Sequence, residues 1–569
     1  MRKILFLAAL ILLLGAGYDK GGSWAGVVTS YLYAEADGTL TRVEAGQTEV
    51  TVARYSPDLE LISQQTLALE LPLYGGFFHG ERHNFLIFGQ ENPAEDDAVE
   101  VIRVVKYTHD WVRVGDWRLY GGNTAEPFTA GSLRCAESGG ILHIRTCHKM
   151  YKTEDGVNHQ ANLMLSIRTA DMTLTNSLTG LQNRVYGYVS HSFNQFLAMD
   201  GERIIALDHG DAFPRSVVLF RYPEHLPADG DYGRAEYVEL LPISGPVGQN
   251  ATGVTVGGLV VTDHAYLTVG TTVDQQAGDH SSNAQRNVYL TVTRKADFTA
   301  AGTELIFLTD YEPDSGVRLG NPQIADAGAG RYLVIWSEDS GTCWVLVDEN
   351  GKRLGAVKTS GELLQSDCQP IRWSGKLIWY VNDGTQVRFM TIDPGFADVD
   401  REEYFWEPVR WATDQGIVRG VSDTCFGPDA ICTRAQMVTF LWRAWGCPEP
   451  EGRDHPFRDI QEGAYYESAV LWAMEQGITR GVSDDRFDPD GACTRAQAVT
   501  FLWRLAGMPT PAVQNAAFTD LEPDEYYVNP ILWAAEQGIT QGMGSGTFGI
   551  NVPCTRAQMV TFLHRTLGP

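Results

Sequence analysis

The sequence predicts two architectures in one chain. The N-terminal part reads as a mainly β domain, a β-propeller of six or seven blades, and the C-terminal part as an all-α region of three repeats. Three observations carry this reading. Short alternating apolar runs separated by turn residues fill 28–394, without a convincing long amphipathic helix. Self-similarity with a period of 61 residues begins at Phe396. At 569 residues the chain also exceeds what one ordinary core accommodates.

The first element is a signal peptide over 1–25. Arg2 and Lys3 precede an apolar run from Ile4 to about Leu14, which is short for a bilayer span and is followed by small residues. Cleavage after Ala25 is favoured over cleavage after Gly17. The mature chain is then expected to be secreted, with no membrane span.

The propeller reading rests on two kinds of hairpin. VTVARYSPDLELIS, VIRVVKYTHDWVRVGDW, LMLSIRTADMTLTNS, VYLTVTRKADFTAAG and WVLVDENGKRLGAV turn at Asp58, Asp110, Asp171, Asp297 and Asn350. Between them lie FFHGERHNFLIFG, SLRCAESGGILHIRTC, FLAMDGERIIALD, VTVGGLVVTDHAYLTVG, QIADAGAGRYLVIWS and PIRWSGKLIWYV. Alternating inner and outer hairpins at this spacing fit seven blades over 28–394, with a strand near Tyr31–Tyr33 closing the ring. Two β-sandwiches are the competing arrangement.

From Phe396 onward the chain repeats without insertion between its landmarks. Phe396, Phe457 and Phe518 are 61 residues apart, as are Trp411, Trp472 and Trp533. CTRAQ recurs at 432–436, 493–497 and 554–558, each time opening an apolar run. Thr with Gln three residues later is a capping box, so Thr433, Thr494 and Thr555 are predicted N-caps. The glycine of each QGI suits a helix C′ position. One such repeat cannot bury its own apolar face, so three are expected to pack together. The boundaries read 396–455, 457–516 and 518–569.

Arg434, Arg495 and Arg556 then fall in the first helical turn, where the helix dipole disfavours a cation. In order, each repeat has Phe-x-Asp, Trp-Ala, Gly-Ile, a Phe-containing loop and Thr-Arg-Ala-Gln. Over 396–566 this resembles the S-layer homology (SLH) domain. The resemblance implies a pseudo-threefold bundle whose grooves bind an acidic, often pyruvylated, secondary cell-wall polysaccharide. It further implies display on the wall or S-layer surface of a Gram-positive-type bacterium. An anion at a helix N-terminus would explain the arginines; pairing with an acidic side chain of a neighbouring repeat is the alternative. Candidate polymer-binding residues are Arg434, Arg495, Arg556, Trp411, Trp472, Trp533, Arg419, Arg480, Asp423 and Asp484. The tryptophans have core packing as their competing role. The third copy departs from the pattern, with Gln541, Ser545 and Ile550 replacing Arg, Asp and Pro, which puts its loop in doubt.

On the propeller, polar residues gather where inner strands start and second strands end. His148, His159, Gln160, His191, Asn194, Gln195, Asp208, His209 and Asp211 form a candidate rim. Bonding between blades, a glycan- or protein-binding surface, and acid–base or metal chemistry compete for it. Bonding between blades is favoured for these residues; the propeller as a whole reads as a ligand- or protein-binding domain, with a wall-anchored hydrolase or lyase as the alternative. No HExxH, GxSxG, P-loop or dinucleotide fingerprint is present, and neither metal nor cofactor is expected. Further partners would be other surface proteins or glycans. A net charge of −27 argues against a nucleic-acid partner. Nine cysteines without CxxC spacing exclude a zinc pattern, leaving Cys135–Cys147 and Cys343–Cys368 as conceivable pairs.

Overall fold

A computed structural model of the protein describes residues 25–129, 131–179, 194–212, 214–224, 235–281, 283–400, 402–452, 454–512, 518–544 and 546–568. It divides into two compact units that meet between Pro394 and Gly395.

In the first unit the alternating runs become seven antiparallel sheets with strands paired in sequence order, except that in the third, Thr124–Pro127 pairs with Ile141–Lys152. They span 30–68, 73–120, 124–178, 195–242, 258–307, 323–360 and 371–392. These are the seven blades of a propeller. The second strand of a blade is packed on both faces, so every residue of Asn84–Gly89 and of Ala265–Val273 is buried. The outermost strand has only its inner face to cover, and Leu61–Ala68 is almost wholly exposed. Three of the turn-marking aspartates, Asp58, Asp110 and Asp171, each precede a residue in the left-handed region: Leu59 (φ 63°), Trp111 (φ 63°) and Met172 (φ 56°). The Leu59 amide donates to the Ser56 carbonyl, and the Trp111 amide to that of Thr108, both at 2.9 Å. This is a tight turn closed by a left-handed residue, a geometry that joins antiparallel strands.

Ring closure differs from the sequence expectation. Tyr31–Tyr33 lie in Ser30–Ala34, the innermost strand of the first blade, which pairs with Leu40–Ala45 of the same blade. The seventh blade keeps three strands of its own. Side chains close the seam instead. Asp367 Oδ2 accepts from both the amide and the hydroxyl of Thr29 at 2.8 Å. Trp373 Nε1 donates to the Gly38 carbonyl at 2.9 Å, and Asn382 Nδ2 to the Glu44 carboxylate at 2.9–3.0 Å. Leu32, Leu40, Ala53 and Tyr55 share one apolar cluster with Trp379 and Tyr380 across it. A strand shared between first and last blades is unnecessary because both blade faces are already apolar and complementary.

The second unit contains six helices among its described residues: α1 (Trp406–Asp414), α2 (Arg434–Ala444), α3 (Glu467–Glu475), α4 (Arg495–Leu505), α5 (Val528–Glu536) and α6 (Arg556–Leu567). Gly416, Gly477 and Gly538, at φ 68–69°, end α1, α3 and α5. The second helix of each repeat packs on the first helix of the next: α2 on α3, α4 on α5, and α6 back on α1. The unit is not purely helical. Cys432 N donates to Cys554 O, Cys493 N to Cys432 O and Cys554 N to Cys493 O, at 2.8–2.9 Å. These three bonds close a backbone triangle, flanked by β-bridges from Ile431 to Thr555, Thr433 to Ala492 and Thr494 to Pro553. All nine cysteines are free thiols, so neither conceivable disulfide forms. No described helix is long and apolar enough to cross a membrane. Residues 1–24 of the expected signal peptide lie outside the described residues.

Each TRAQ helix carries a complete capping box, in which Thr accepts from the Gln amide and the Gln side chain accepts from the Thr amide. Replacing Thr494 with Ala should lower unfolding free energy by about 1 kcal/mol, and Thr494→Ser should recover most of it. Urea denaturation of the three proteins reads the difference directly.

Candidate functional site

The thrice-repeated arginine is built from its neighbours outward. Asp398, Asp459 and Asp520, the Asp of each Phe-x-Asp, accept two backbone amides from their own repeat's loop. The donors are Phe426 and Gly427, Phe487 and Asp488, and Phe548 and Gly549, at 2.7–2.9 Å. This clamp fixes the loop so that one phenylalanine carbonyl and ring face an adjoining repeat. Arg434 Nε donates to Phe487 O, Arg495 Nε to Phe548 O and Arg556 Nε to Phe426 O, at 2.9–3.0 Å. Each guanidinium also lies between two aromatic faces. Arg434 is 4.9 Å from the Phe487 centroid and 5.5 Å from that of Phe501, and the other two arginines repeat this within 0.2 Å.

The arginines are therefore buried, at 3–4% exposure, rather than projecting from a helix end. No carboxylate lies within 4 Å of them among the described residues, so the acidic-partner alternative does not describe the site. The helix N-terminus is not a vacant anion site either. The amides of Arg434 and Ala435 donate to Gly491 O and Pro489 O of the next repeat, at 2.9 and 3.0 Å, and the Gln436 amide donates to its cap. Any anion must therefore be held by guanidinium, not by helix amides. Burial lowers the pKa of each arginine. Arg434 Nη2 is buried without a partner among the described residues. Its counterparts on Arg495 and Arg556 reach Thr540 Oγ1 at 3.3 Å and Arg419 O at 2.6 Å.

Two of the tryptophans are core: Trp472 and Trp533 are 3% and 7% exposed. Trp411 is half-buried and packs edge-on against His564 at 5.3 Å. Trp472 and Trp533 present no open face to a sugar ring while the repeats are folded. The aromatic that reaches solvent beside each arginine was not among the sequence candidates. Tyr404, Tyr465 and Tyr526 are 54–60% exposed and lie within electrostatic reach of Arg495, Arg556 and Arg434 respectively. Their 61-residue spacing was visible, but each is followed by a second aromatic, and only the fold tells the two apart. Arg419, Arg480, Asp423 and Asp484 are exposed on their loops. The altered third loop borders Arg495 rather than Arg556, because each arginine inserts into the loop of the following repeat. The Ala496 amide reaches Ile550 O at 3.4 Å, against 3.0 Å to proline carbonyls in the other two copies. Ser545 lies outside the described residues.

A model of the S-layer homology domain matches residues 395–438, 456–499 and 517–560. The C-terminal unit carries three SLH domains. Similar proteins include a cell surface protein of Thermoanaerobacter kivui, 37% identical over 20% of this chain and 15% of that protein. A surface-layer 125 kDa protein of Lysinibacillus sphaericus is 28% identical over 38% of this chain and 17% of its own length. The exoglucanase XynX of Acetivibrio thermocellus is 25% identical over 39% and 20%. The chain thus spans a fifth or less of these relatives. The hemagglutinin-neuraminidase of parainfluenza virus 5 gives a TM-score of 0.33 at 9% identity, over 59% of this chain and 92% of that one.

Outside the SLH domains, the expected rim turns inward. His148 is fully buried, with Nδ1 bonded to Thr124 Oγ1 at 2.7 Å; His209 is fully buried, with Nε2 bonded to Thr252 Oγ1 at 2.9 Å. Asp208 receives Arg145 of the preceding blade through two bonds, Nε to Oδ1 at 3.0 Å and Nη2 to Oδ2, and Asn162 Nδ2 at 2.9 Å. Gln195 Nε2 donates to Ser132 O, and Asn194 Nδ2 to Val256 O at 2.7 Å. Gln160 and Asp211 are buried as well. His159 sits apart at a hairpin tip, paired with Asp155 at 2.8 Å. His191 lies outside the described residues. The polar residues sit at strand ends as read, but consecutive blades press those ends together, so most bond between or within blades instead of facing solvent.

Arg434→Ala should destabilise the SLH domains by about 2–4 kcal/mol, because it empties an aromatic slot and orphans the Phe487 carbonyl; a shift in the urea midpoint measures it. The propeller histidines predict a pH dependence. Burial pushes His148 and His209 down to about 3. Unfolded histidine takes up a proton below about 6.5, so the unfolded state binds more protons in that window and stability falls as pH drops from 6.5 toward 3. Between pH 7 and 5 each should contribute a loss of about 2 kcal/mol. The variant His148→Gln/His209→Gln should flatten that slope in thermal melts.

Proposed function

We propose that this protein is exported and held non-covalently at the surface of a Gram-positive-type cell by its SLH domains. These would pack as a pseudo-threefold bundle around an acidic, pyruvylated secondary wall polysaccharide. The propeller would be displayed to ligands or to other surface proteins. The observation that carries the reading is a buried guanidinium with no carboxylate within 4 Å among the described residues and an exposed tyrosine in electrostatic reach, repeated three times. A desolvated cation without a counter-ion is costly, and a polymer carboxylate would supply one. Tyrosine beside it offers an apolar face to a sugar ring and a hydroxyl to its polar edge. Arg419 and Arg480, with Asp423 and Asp484, would add polar contacts at the groove mouths. Relatives named as a cell surface protein and a surface-layer protein support the location.

A second reading is a wall-anchored hydrolase or lyase, favoured by the relative named an exoglucanase. The inward-facing rim offers it little support. Release of new reducing ends from wall glycan by the full chain would establish it.

Anchoring is tested by co-sedimentation of the full chain with purified wall polymer. Tyr465→Ala and Tyr526→Ala should leave stability within about 0.5 kcal/mol, since they alter the surface. Together they should weaken pelleting by about tenfold. Arg434→Lys keeps the charge but loses the planar fork, and should weaken it further. Polymer stripped of its acid-labile pyruvate should bind less. If every variant and the stripped polymer pellet like the wild type, the assignment fails.

A further inference from the structure

The seven innermost strands begin around the propeller axis, and a cavity of about 80 Å³ lies there. Its walls come from the segments that lead into or open the innermost strands of every blade but the second, together with Gly26 and with Ala25, the residue after which cleavage is expected. No residue expected to be functional from the sequence, other than Asn194, contributes to it.

Two opposite charges line this cavity. Arg134 is held from one side only, with Nε donating to Gln195 O at 3.1 Å and the guanidinium 4.4 Å from the Phe196 centroid. Among the described residues its two Nη atoms have no hydrogen-bond partner, and no carboxylate lies within 4 Å. Asp367 is likewise held from one side, Oδ2 accepting the Thr29 amide and hydroxyl at 2.8 Å. Its Oδ1 has no partner among the described residues. The two groups feel one another's charge but do not form an ion pair. Beside them Gln323 donates Nε2 to Ser366 O at 3.0 Å, and its Oε1 is buried without a partner among the described residues. Gly257 keeps the wall close: a Cβ there would lie 1.7 Å from the Pro322 carbonyl oxygen.

The chemistry of these groups is complementary to a zwitterion. An unpaired guanidinium fork suits a carboxylate, and a free carboxylate oxygen beside a carboxamide oxygen suits an ammonium. One water-sized group needs about 10–15 Å³ of such space, so the cavity takes about five to eight heavy atoms. That is the size of a free α-amino acid such as alanine or serine. A nearby apolar ring would meet the methyl or methylene.

We propose that the propeller channel is a binding site for a small α-amino acid, its carboxylate on Arg134 and its ammonium on Asp367 and Gln323. This deepens the reading of the propeller as a ligand-binding domain and is independent of wall anchoring.

The test is calorimetric titration of the full chain with alanine and serine of either hand, alongside propionate, ethylamine and alaninamide. The zwitterions should bind, and each analogue lacking one charge should bind about ten- to a hundredfold more weakly. Arg134→Gln and Asp367→Asn should impose similar losses on alanine. Asp367→Asn keeps an oxygen for Thr29, and unchanged thermal melts would show that the seam holds. The analogue series on wild-type protein needs no variant, so the proposal stays testable if either substitution unfolds the blade seam. No heat with any amino acid up to about 10 mM would overturn it, as would equal affinity for alanine and propionate. The same preparations assayed for pelleting with wall polymer separate the two readings, because an intact anchor with no amino-acid binding removes only the channel site.

Discussion

The C-terminal unit depends on one constraint: the first two amides of each TRAQ helix have no acceptor within their own repeat. A helix leaves four amides unsatisfied at its start. The capping box meets the outer two, the Thr433 amide donating to the Gln436 carboxamide oxygen and the Gln436 amide to the Thr433 hydroxyl in the first copy. The two between them are met by carbonyls of the following repeat, as Arg434 and Ala435 are by Gly491 and Pro489. Three repeats suffice to close that dependence in a circle, and the backbone triangle of Cys432, Cys493 and Cys554 is its centre. The cysteines there are buried, where a small side chain suits close approach of three strands.

That constraint also accounts for a cation at the positive end of a helix. With the helix amides already bonded, the local dipole is partly satisfied by carbonyls brought in from next door. The same loop offers one further carbonyl, from phenylalanine, and two aromatic faces surround the position. Arginine reaches all three at once, which lysine, without a planar fork, would not. The Phe-x-Asp motif belongs to the same device, since its carboxylate holds the loop that presents the carbonyl. A motif at the start of one repeat thus positions a group used by another.

Local features were legible in the sequence. The capping boxes, the QGI glycines and the Asp-marked turns are set by residues within a few positions of each other, and their geometry follows from those residues alone. Seven blades were legible because each repeats the same inner and outer hairpins. Features set by non-local packing were not. Trp472 and Tyr465 are both aromatics in the same repeated segment, but one faces the core and the other solvent. Asp208 and His209 read as a polar rim, whereas Arg145, 63 residues earlier, turns Asp208 into half of a buried ion pair. The partner that decides each role lies in another blade or another repeat. Arg134 and Asp367 carried no motif at all, because only ring closure brings residues so far apart in sequence to one axis.

Ring closure also explains why buried polarity is tolerated in this propeller. Blades pack face to face, so a polar side chain on a blade face meets the neighbouring blade rather than water, and an unpaired one would be costly. Arg145 and Asp208 resolve this with two parallel bonds and Asn162 as a third donor, a geometry that offsets desolvation only when complete. Such a pair stabilises little by itself compared with apolar packing, but it is intolerant of slippage between blades. A shift of one residue in register would leave two charges buried and unpaired. The pair thereby fixes how the third and fourth blades meet, and with it the positions of Arg134 and Asn194 at the start of their innermost strands. Polar contacts between blades set the registry of the ring, and the channel inherits its geometry from them.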